Sequence, residues 1–180
     1  FSQCPRDPRT QAAGARARGA EIHRFTPVIG TEQQEDGSWI VRTPNGDIHT
    51  KWIVNAAGLW GREVAALAGI TLPLQPTEHQ YFVTETIAEI AAMEQRLPSV
   101  ADRDGEYYLR QEGQGLLIGA YEKDLRFWAE EGTPINFAHE LFADDLDRIE
   151  DNMMRAIKRV PALGTAGIKR VINGPMIWSP

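Results

Sequence analysis

Cysteine is nearly absent from this sequence of 180 residues, in which Cys4 is the single example. One thiol excludes an internal disulfide bond. Its neighbours are proline, arginine and aspartate residues, and none of them is the partner that a catalytic cysteine needs. We therefore expect a protein of a reducing compartment with no thiol chemistry of its own.

Long apolar runs, blocks of like charge and metal-ligand clusters are missing as well. No run approaches the roughly 20 apolar residues that a membrane helix needs. The 19 basic and 25 acidic residues are interspersed, which argues against a nucleic acid or a membrane as partner. The histidines are too scattered to share a metal, so we expect no metal site. They are His23, His49, His79 and His139.

β-type patterning is what the first third of the sequence does contain. Residues 7–18, rich in alanine and arginine, predict a helix, and a short strand is expected from Glu21. Three β-type runs follow, separated by the turn pairs Asp36-Gly37 and Asn45-Gly46. They cover residues 28–31, 38–43 and 48–54, and they predict a meander of three antiparallel strands.

The third of these runs leads into Asn55-Ala56-Ala57-Gly58 and then into a helix predicted over 60–68. Small side chains at the end of a strand leave the backbone open to a phosphate or a ribose. A plain tight turn into a packed helix explains the same residues equally well. The pattern alone leaves both interpretations open.

Further strands and helices are predicted in the rest of the chain. A strand is predicted over 79–84, a helix over 87–95, and a hairpin over 106–121 with its turn at Glu112-Gly113-Gln114. Apolar positions close to a 3.6 period predict a long helix over 139–160, and an extended run to residue 175 follows. The order of elements predicts a mixed α/β (α+β) fold, with the hairpin in a second sheet.

His79 and the pair Tyr107-Tyr108 are the residues of the second half best suited to chemistry. His79 opens a strand after a proline-containing loop, where α/β folds place reactive groups, but a packed or surface histidine fits there too. Tyr107 and Tyr108 point to opposite faces of one strand, so at most one of them lines a given pocket. The glycines of residues 113–119 lack the spacing of a dinucleotide loop and predict a hairpin turn.

Six segments are the most distinctive parts of the sequence. They are residues 54–60 (VNAAGLW), 78–84 (EHQYFVT), 107–112 (YYLRQE), 119–122 (GAYE), 144–149 (DDLDRI) and 172–175 (INGP). Together and in this order they resemble the FAD-dependent dimethylglycine/sarcosine dehydrogenase family of D-amino-acid-oxidase-like flavoproteins. The resemblance runs from about Gln11 to the C-terminus.

The resemblance implies a fold of two parts and a set of site residues. Residues 1–72 are expected to be part of an FAD-binding domain, 73–166 a substrate domain, and 167–180 the start of a return to the first domain. His79 resembles the family's histidine near flavin and substrate, and Tyr108, in preference to Tyr107, resembles its substrate-side tyrosine. The implied cofactor-binding residues are Val28, Ala56, Ala57, Gly58, Trp60, Gly174 and Pro175.

The chemistry implied by the resemblance is oxidative demethylation of an N-methyl amino acid, such as dimethylglycine or sarcosine, by hydride transfer to FAD. His79 and a tyrosine hydroxyl would orient the amine and favour its neutral form. In the full-length protein, tetrahydrofolate is a candidate second cofactor and an electron-transfer flavoprotein a candidate partner. The bacterial cytoplasm or the mitochondrial matrix is the expected location.

Several parts of the family pattern are not found in this sequence. They are the N-terminal dinucleotide fingerprint, the upstream histidine that some members link to FAD, the closing flavin segment and the folate domain. Residues 1–8 also depart from the pattern. We therefore expect an internal piece that does not hold FAD tightly alone. A non-catalytic regulatory or scaffold relative of the same fold and an inactive truncated piece are the alternatives.

Overall fold

The computed structural model describes residues 8–138 and 140–179, so the sequence-based expectations for Cys4 and His139 lie outside the described residues. The chain forms two compact units. The first comprises Phe1–Asn55 with Val64–Ile70, and the second comprises Ala56–Glu63 with Thr71–Pro180. No helix among the described residues has the length and apolar character needed to cross a lipid bilayer.

The first unit contains one helix and a three-stranded meander. Helix α1 spans Pro8–Arg16. The turn that follows it contains Gly19 with φ +89°, a backbone conformation that glycine adopts readily after the end of a helix. The meander consists of β1 (Gly30–Gln33), β2 (Trp39–Thr43) and β3 (Gly46–Thr50), paired antiparallel in the order β1-β2-β3. The predicted meander and the turn at Asp36-Gly37 are confirmed, whereas the second turn is formed by Pro44 and Asn45, so that Gly46 already belongs to β3.

Two predicted strand segments of this unit are wrong. Residues 20–29 form no strand from Glu21, and the third strand ends at Thr50 instead of Val54. The Thr50 hydroxyl donates to the Trp52 carbonyl over 3.0 Å and lies 3.4 Å from the Trp52 N–H. Such local bonds compete with a β ladder, and here they coincide with a bend at Lys51.

The connection between the meander and the next sheet is helical but short. A 3₁₀ helix covers Gly58–Trp60 and α2 covers Gly61–Ala66. The helix predicted over 60–68 is therefore confirmed, but it ends at Ala66, two residues earlier than predicted. Gly69, with φ +71°, follows it.

The second unit is built on a five-stranded antiparallel sheet in the order β5-β6-β7-β4-β8. Its strands are β4 (Gln75–Thr84), β5 (Val100–Asp102), β6 (Tyr107–Glu112), β7 (Gly115–Ala120) and β8 (Ile168–Trp178). Its helices are α3 (Ala88–Ala91) and α4 (Glu150–Arg159), with 3₁₀ turns at Asp147–Ile149 and Pro161–Gly164. The predicted hairpin is confirmed as β6 and β7, with Gly113 at φ +59° in the turn.

The helix predicted over 139–160 is too long. Among the described residues of that range, α-helix begins only at Glu150. Upstream of it, the Phe142 N–H donates to the Asn173 carbonyl, and the Gln80 side chain bonds both the N–H and the carbonyl of Asp145. These contacts with β4 and β8 use backbone groups that a helix would need, so the tertiary structure overrides the periodic pattern.

One face of the sheet carries the hydrophobic core. Side chains alternate between faces along each strand, and Phe82, Leu109 and Ile118 point to the same side. Ile149 and Ala156, from the 3₁₀ turn and α4, are buried against them. The side chains on the opposite face of the sheet do not belong to this core.

Candidate functional site

The face of the sheet opposite α4 carries an aromatic and histidine cluster. We call it the tyrosine face and define it by His79 and Tyr81 of β4, Tyr108 of β6, Gly119 of β7 and Gly174 of β8. The strand register makes them neighbours on this face. Tyr81 and Tyr108 both pair with Gly119, and His79, two residues before Tyr81 on the same strand, pairs with Gly174. Residues of four strands thus meet on one surface.

Tyr108 lies across β7 because residue 119 has no side chain. A Cβ atom at Gly119 would overlap the Tyr108 ring. The ring also stacks at a tilt with Tyr121, with 5.5 Å between their centroids. Burial, followed by the neighbouring Tyr121, Tyr81 and Glu122, raises the pKa of the Tyr108 hydroxyl. At neutral pH Tyr108 is therefore a hydrogen-bond donor on the tyrosine face.

Tyr107 points to the opposite side and belongs to the hydrophobic core. Its side chain is 2% exposed and packs in the cluster that includes Ile149 and Ala156. Burial and a hydrogen bond to Asp102 raise the pKa of its hydroxyl. Of the two tyrosines considered from the sequence, only Tyr108 shares a surface with His79.

His79 is held by a carboxylate that sequence reasoning missed. The Nδ1 atom of His79 lies 2.6 Å from Oε2 of Glu122, a side chain that is only 1% exposed. The other oxygen, Oε1, accepts the backbone N–H of Gln80 over 3.1 Å. Glu122 follows an entirely buried strand in the segment GAYE, and an acidic residue at that position is the signal that would have pointed to it.

A buried arginine is the second residue that sequence reasoning missed. Arg148 lies in the 3₁₀ turn before α4, and its side chain is 2% exposed. Its guanidinium approaches three carboxylates, with N–O distances of 3.7 Å to Glu78, 4.0 Å to Glu122 and 3.7 Å to Asp145. Arg148 lies within the range of the long helix predicted over 139–160, and nothing in that periodic pattern singles it out.

The residues expected to bind a cofactor occur in both compact units. Val28, 41% exposed, precedes β1 in the first unit. Ala56, Ala57 and Gly58 form the turn that enters the 3₁₀ helix of the second unit, and Trp60 ends that helix. Gly174 and Pro175 lie in β8, opposite His79 and Glu78.

The structure brings the second-unit members of this set together. The 3₁₀ helix Gly58–Trp60 packs beside β8, and the Trp60 indole N–H donates to the Pro134 carbonyl over 3.0 Å. Gly58 has φ +55° and no atom within 4 Å of the position that a Cβ would take. At Gly174 the nearest atom to such a Cβ is a Leu141 methyl carbon at 3.5 Å. The backbone is therefore open at Gly58, whereas Gly174 packs against Leu141.

Comparison with known proteins places this arrangement in one family. The family described as FAD dependent oxidoreductase matches residues 9–178. The mitochondrial dimethylglycine dehydrogenase of Mus musculus is 45% identical over 174 residues, which are 94% of this chain and 20% of that protein. The mitochondrial sarcosine dehydrogenase of Homo sapiens is 38% identical over 176 residues, 95% of this chain and 18% of that protein.

The solved structures agree with the sequence comparison. L-proline dehydrogenase from P. horikoshii superposes with a TM-score of 0.66 at 25% identity, over 94% of this chain and 42% of that one. The chain spans about a fifth of the length of the two curated relatives. The family resemblance of the six sequence segments is thus confirmed, and the chain belongs to the DAO family of FAD-dependent oxidoreductases, close to the dimethylglycine and sarcosine dehydrogenases.

Proposed function

We propose that the protein to which this chain belongs oxidatively demethylates an N-methyl amino acid, with dimethylglycine and sarcosine as the first candidates. The observation that supports it most is the meeting of His79 and Tyr108 on the tyrosine face, with Glu122 bonded to the histidine. Two of the relatives named above are dehydrogenases of these two amino acids. Residues 73–166 then form the substrate domain, and residues 1–72 and 167–180 belong to the FAD-binding part.

The residues present fit the flavin that the family uses. A planar ring system needs backbone that it can approach without side chains in the way, and Gly174 places no side chain beside His79 on the tyrosine face. The open turn at Gly58 suits a phosphate or ribose group. The residues that would hold FAD are Val28, Ala56, Ala57, Gly58, Trp60, Gly174 and Pro175.

His79 is proposed to take up the proton of the substrate ammonium group. Its Nδ1 is bonded to Glu122, so Nε2 is the ring nitrogen left to contact a substrate on the tyrosine face. FAD supplies the hydride acceptor when it is bound. Removal of the ammonium proton leaves the nitrogen lone pair free, and a neutral amine is the form that gives up a hydride from its N-methyl carbon.

Tyr108 is proposed to orient the substrate beside His79. Its raised pKa keeps the hydroxyl protonated at neutral pH, so it donates a hydrogen bond instead of repelling the substrate carboxylate. The rings of Tyr81, Tyr108 and Tyr121 line the same region and favour a methylated ammonium group through their electron-rich faces. Tyr107 has a structural role in the core.

Partners and location follow from the same proposal. An N-methyl amino acid is the small-molecule substrate, and an electron-transfer flavoprotein is the proposed electron acceptor. Tetrahydrofolate is the proposed acceptor of the one-carbon group in the full-length protein. The named relatives are mitochondrial, which supports the mitochondrial matrix in a eukaryotic source and leaves the cytoplasm as its bacterial counterpart.

Flavin reduction under anaerobic conditions tests the proposal. The protein is purified from its source gene with bound FAD, and its visible absorbance is followed after addition of dimethylglycine, sarcosine or, as matched control, glycine. We expect both N-methyl amino acids to bleach the flavin band and glycine to leave it unchanged, because glycine has no N-methyl carbon to oxidise. A bound flavin that neither compound reduces would contradict the proposed reaction. A protein that binds no flavin would support the regulatory or scaffold alternative.

A further inference from the structure

We propose that Glu122 and Arg148 are positioning residues that hold His79 in its working orientation from behind the sheet. The inference rests on the proposed function, because it concerns the histidine to which that function assigns the proton. Neither residue belongs to the tyrosine face itself. Their connection to it runs through the bond between Glu122 and Nδ1 of His79.

Glu122 is fixed at both oxygens by consecutive residues of β4. Oε2 lies 2.6 Å from His79 Nδ1, and Oε1 accepts the Gln80 backbone N–H over 3.1 Å. An ionised carboxylate only accepts hydrogen bonds, so Nδ1 of His79 must carry a hydrogen. The carboxylate therefore selects one tautomer of the neutral ring and one ring orientation, and it leaves Nε2 as the acceptor.

Arg148 supplies the positive charge that this buried carboxylate requires. Its side chain is 2% exposed, and its guanidinium lies within 4.0 Å of Glu122 and within 3.7 Å of both Glu78 and Asp145. A single guanidinium thus lies near three carboxylates. Without it, Glu122 would lie beside the like charges of Glu78 and Asp145, of which Asp145 is also paired with the exposed Arg126. The charges that remain are unfavourable in a medium of low dielectric constant.

The guanidinium acts through its charge and not through directed hydrogen bonds. Nε, Nη1 and Nη2 of Arg148 are buried, and none of them has a hydrogen-bond partner among the described residues. Burying an arginine in this way is costly for a fold, and a buried ion pair is weak support for stability. A contribution to the His79 environment explains why the position carries an arginine instead of an apolar residue of similar size.

Two further side chains, those of Asn173 and Arg126, contact this group of charges. The Asn173 side-chain N–H group on β8 donates to Oε2 of Glu78 over 3.2 Å and to the Ala143 carbonyl over 2.8 Å. Arg126, exposed, pairs with Asp145 over 2.8 Å. Strands β4 and β8 and the segment before α4 are therefore all joined to the group of charges behind His79.

The test compares flavin-reduction kinetics of variants in the FAD-loaded protein. Anaerobic stopped-flow measurements with dimethylglycine separate the limiting reduction rate from the apparent Kd. We expect Glu122→Gln to lower the limiting rate on the order of 10- to 100-fold, the effect typical of residues that orient a functional histidine, with the apparent Kd nearly unchanged. Glu112→Gln is the matched control, because Glu112 lies at the far end of β6 and pairs with Arg110 over 3.3 Å.

Arg148 gives a second and independent comparison. Because the guanidinium makes no hydrogen bond among the described residues, its charge is what matters, and a lysine ammonium beside the same three carboxylates should replace it. We expect Arg148→Lys to retain most of the limiting rate and Arg148→Met to lose as much of it as Glu122→Gln. A purely structural role would not produce rescue by lysine together with an unchanged apparent Kd.

Each outcome bears on one of the two proposals. If the unsubstituted protein is not reduced by an N-methyl amino acid, the proposed function fails before the variants are considered. If it is reduced, and Glu122→Gln or Arg148→Met is reduced at the same rate, the positioning role is overturned. Loss of bound flavin in both of these variants would show a structural role and would also overturn it.

Discussion

Two neighbouring residues of β6 show how much one position along a strand decides. Tyr107 is buried in the core with its hydroxyl bonded to Asp102, whereas Tyr108 lies over Gly119 on the tyrosine face. The pKa of each hydroxyl is raised chiefly by burial. Both are therefore protonated at neutral pH, and replacement by phenylalanine removes a hydrogen-bond donor and not a charge.

The two tyrosine-to-phenylalanine variants are expected to separate stability from activity. Tyr107→Phe loses the bond to Asp102 and should lower the free energy of unfolding by about 1 kcal/mol, with flavin reduction unchanged. Tyr108→Phe should leave unfolding almost unchanged and lower the limiting rate of flavin reduction roughly tenfold, the equivalent of about 1.4 kcal/mol. Urea unfolding and stopped-flow reduction measure the two effects. The reverse assignment of effects would contradict the placement of the two side chains.

At the scale of the element, two glycines of β7, Gly115 and Gly119, allow neighbouring groups to approach this strand closely. A Cβ at Gly115 would lie 2.6 Å from the Glu85 carbonyl oxygen, which is backbone. At Gly119 the atoms in the way belong to the ring of Tyr108. The first position limits how close two backbone segments approach, and the second limits where one side chain lies.

Alanine at these two glycines should therefore give different results. Gly115→Ala requires a backbone shift and should cost about 1–3 kcal/mol of stability, as overpacking does. Gly119→Ala moves the Tyr108 ring and should lower the limiting rate of flavin reduction by about as much as Tyr108→Phe, with a smaller loss of stability. Thermal unfolding and flavin reduction of both variants check this. Equal losses of stability would show that the Tyr108 ring cannot move aside.

At the scale of the whole molecule, the five-stranded sheet divides its work between its faces. One face packs under α3, α4 and the adjoining 3₁₀ turns, and it supplies the buried core. The other face carries His79 and Tyr108 and is only partly covered. Stability and the proposed chemistry are therefore separable, except where the charges of Glu122 and Arg148 reach from one side to the other.

A cavity on the packing face should affect stability alone. Ile149 is 1% exposed at the centre of the core, so Ile149→Ala is expected to lower the free energy of unfolding by about 2–5 kcal/mol. Met154, 59% exposed on α4, provides the control, since Met154→Ala removes little buried surface. Urea unfolding followed by circular dichroism distinguishes them. Equal effects of the two substitutions would be inconsistent with the packing of α4 on the sheet.

Local sequence signals were sufficient for the elements whose partners are close in the chain. The meander and the β6-β7 hairpin follow from alternating residues and from glycine-containing turns, because adjacent strands joined by tight turns need no distant information. The alternation rule also separated Tyr107 from Tyr108. The six family-like segments determined the family and its cofactor.

Only the tertiary structure decided where the periodic pattern stops being helical and which residues support His79. The range 140–146 reads as helix, but its backbone bonds with Asn173 and Gln80, which lie far away in sequence. Glu122 lies 43 residues from His79, and both bond within one buried cluster. Sequence determines local preference and pattern, whereas contacts between distant segments depend on how the sheet brings its strands together. The placement of charges around the half-buried His79 is decided by these distant contacts, because it depends on distance and burial and not on spacing along the chain.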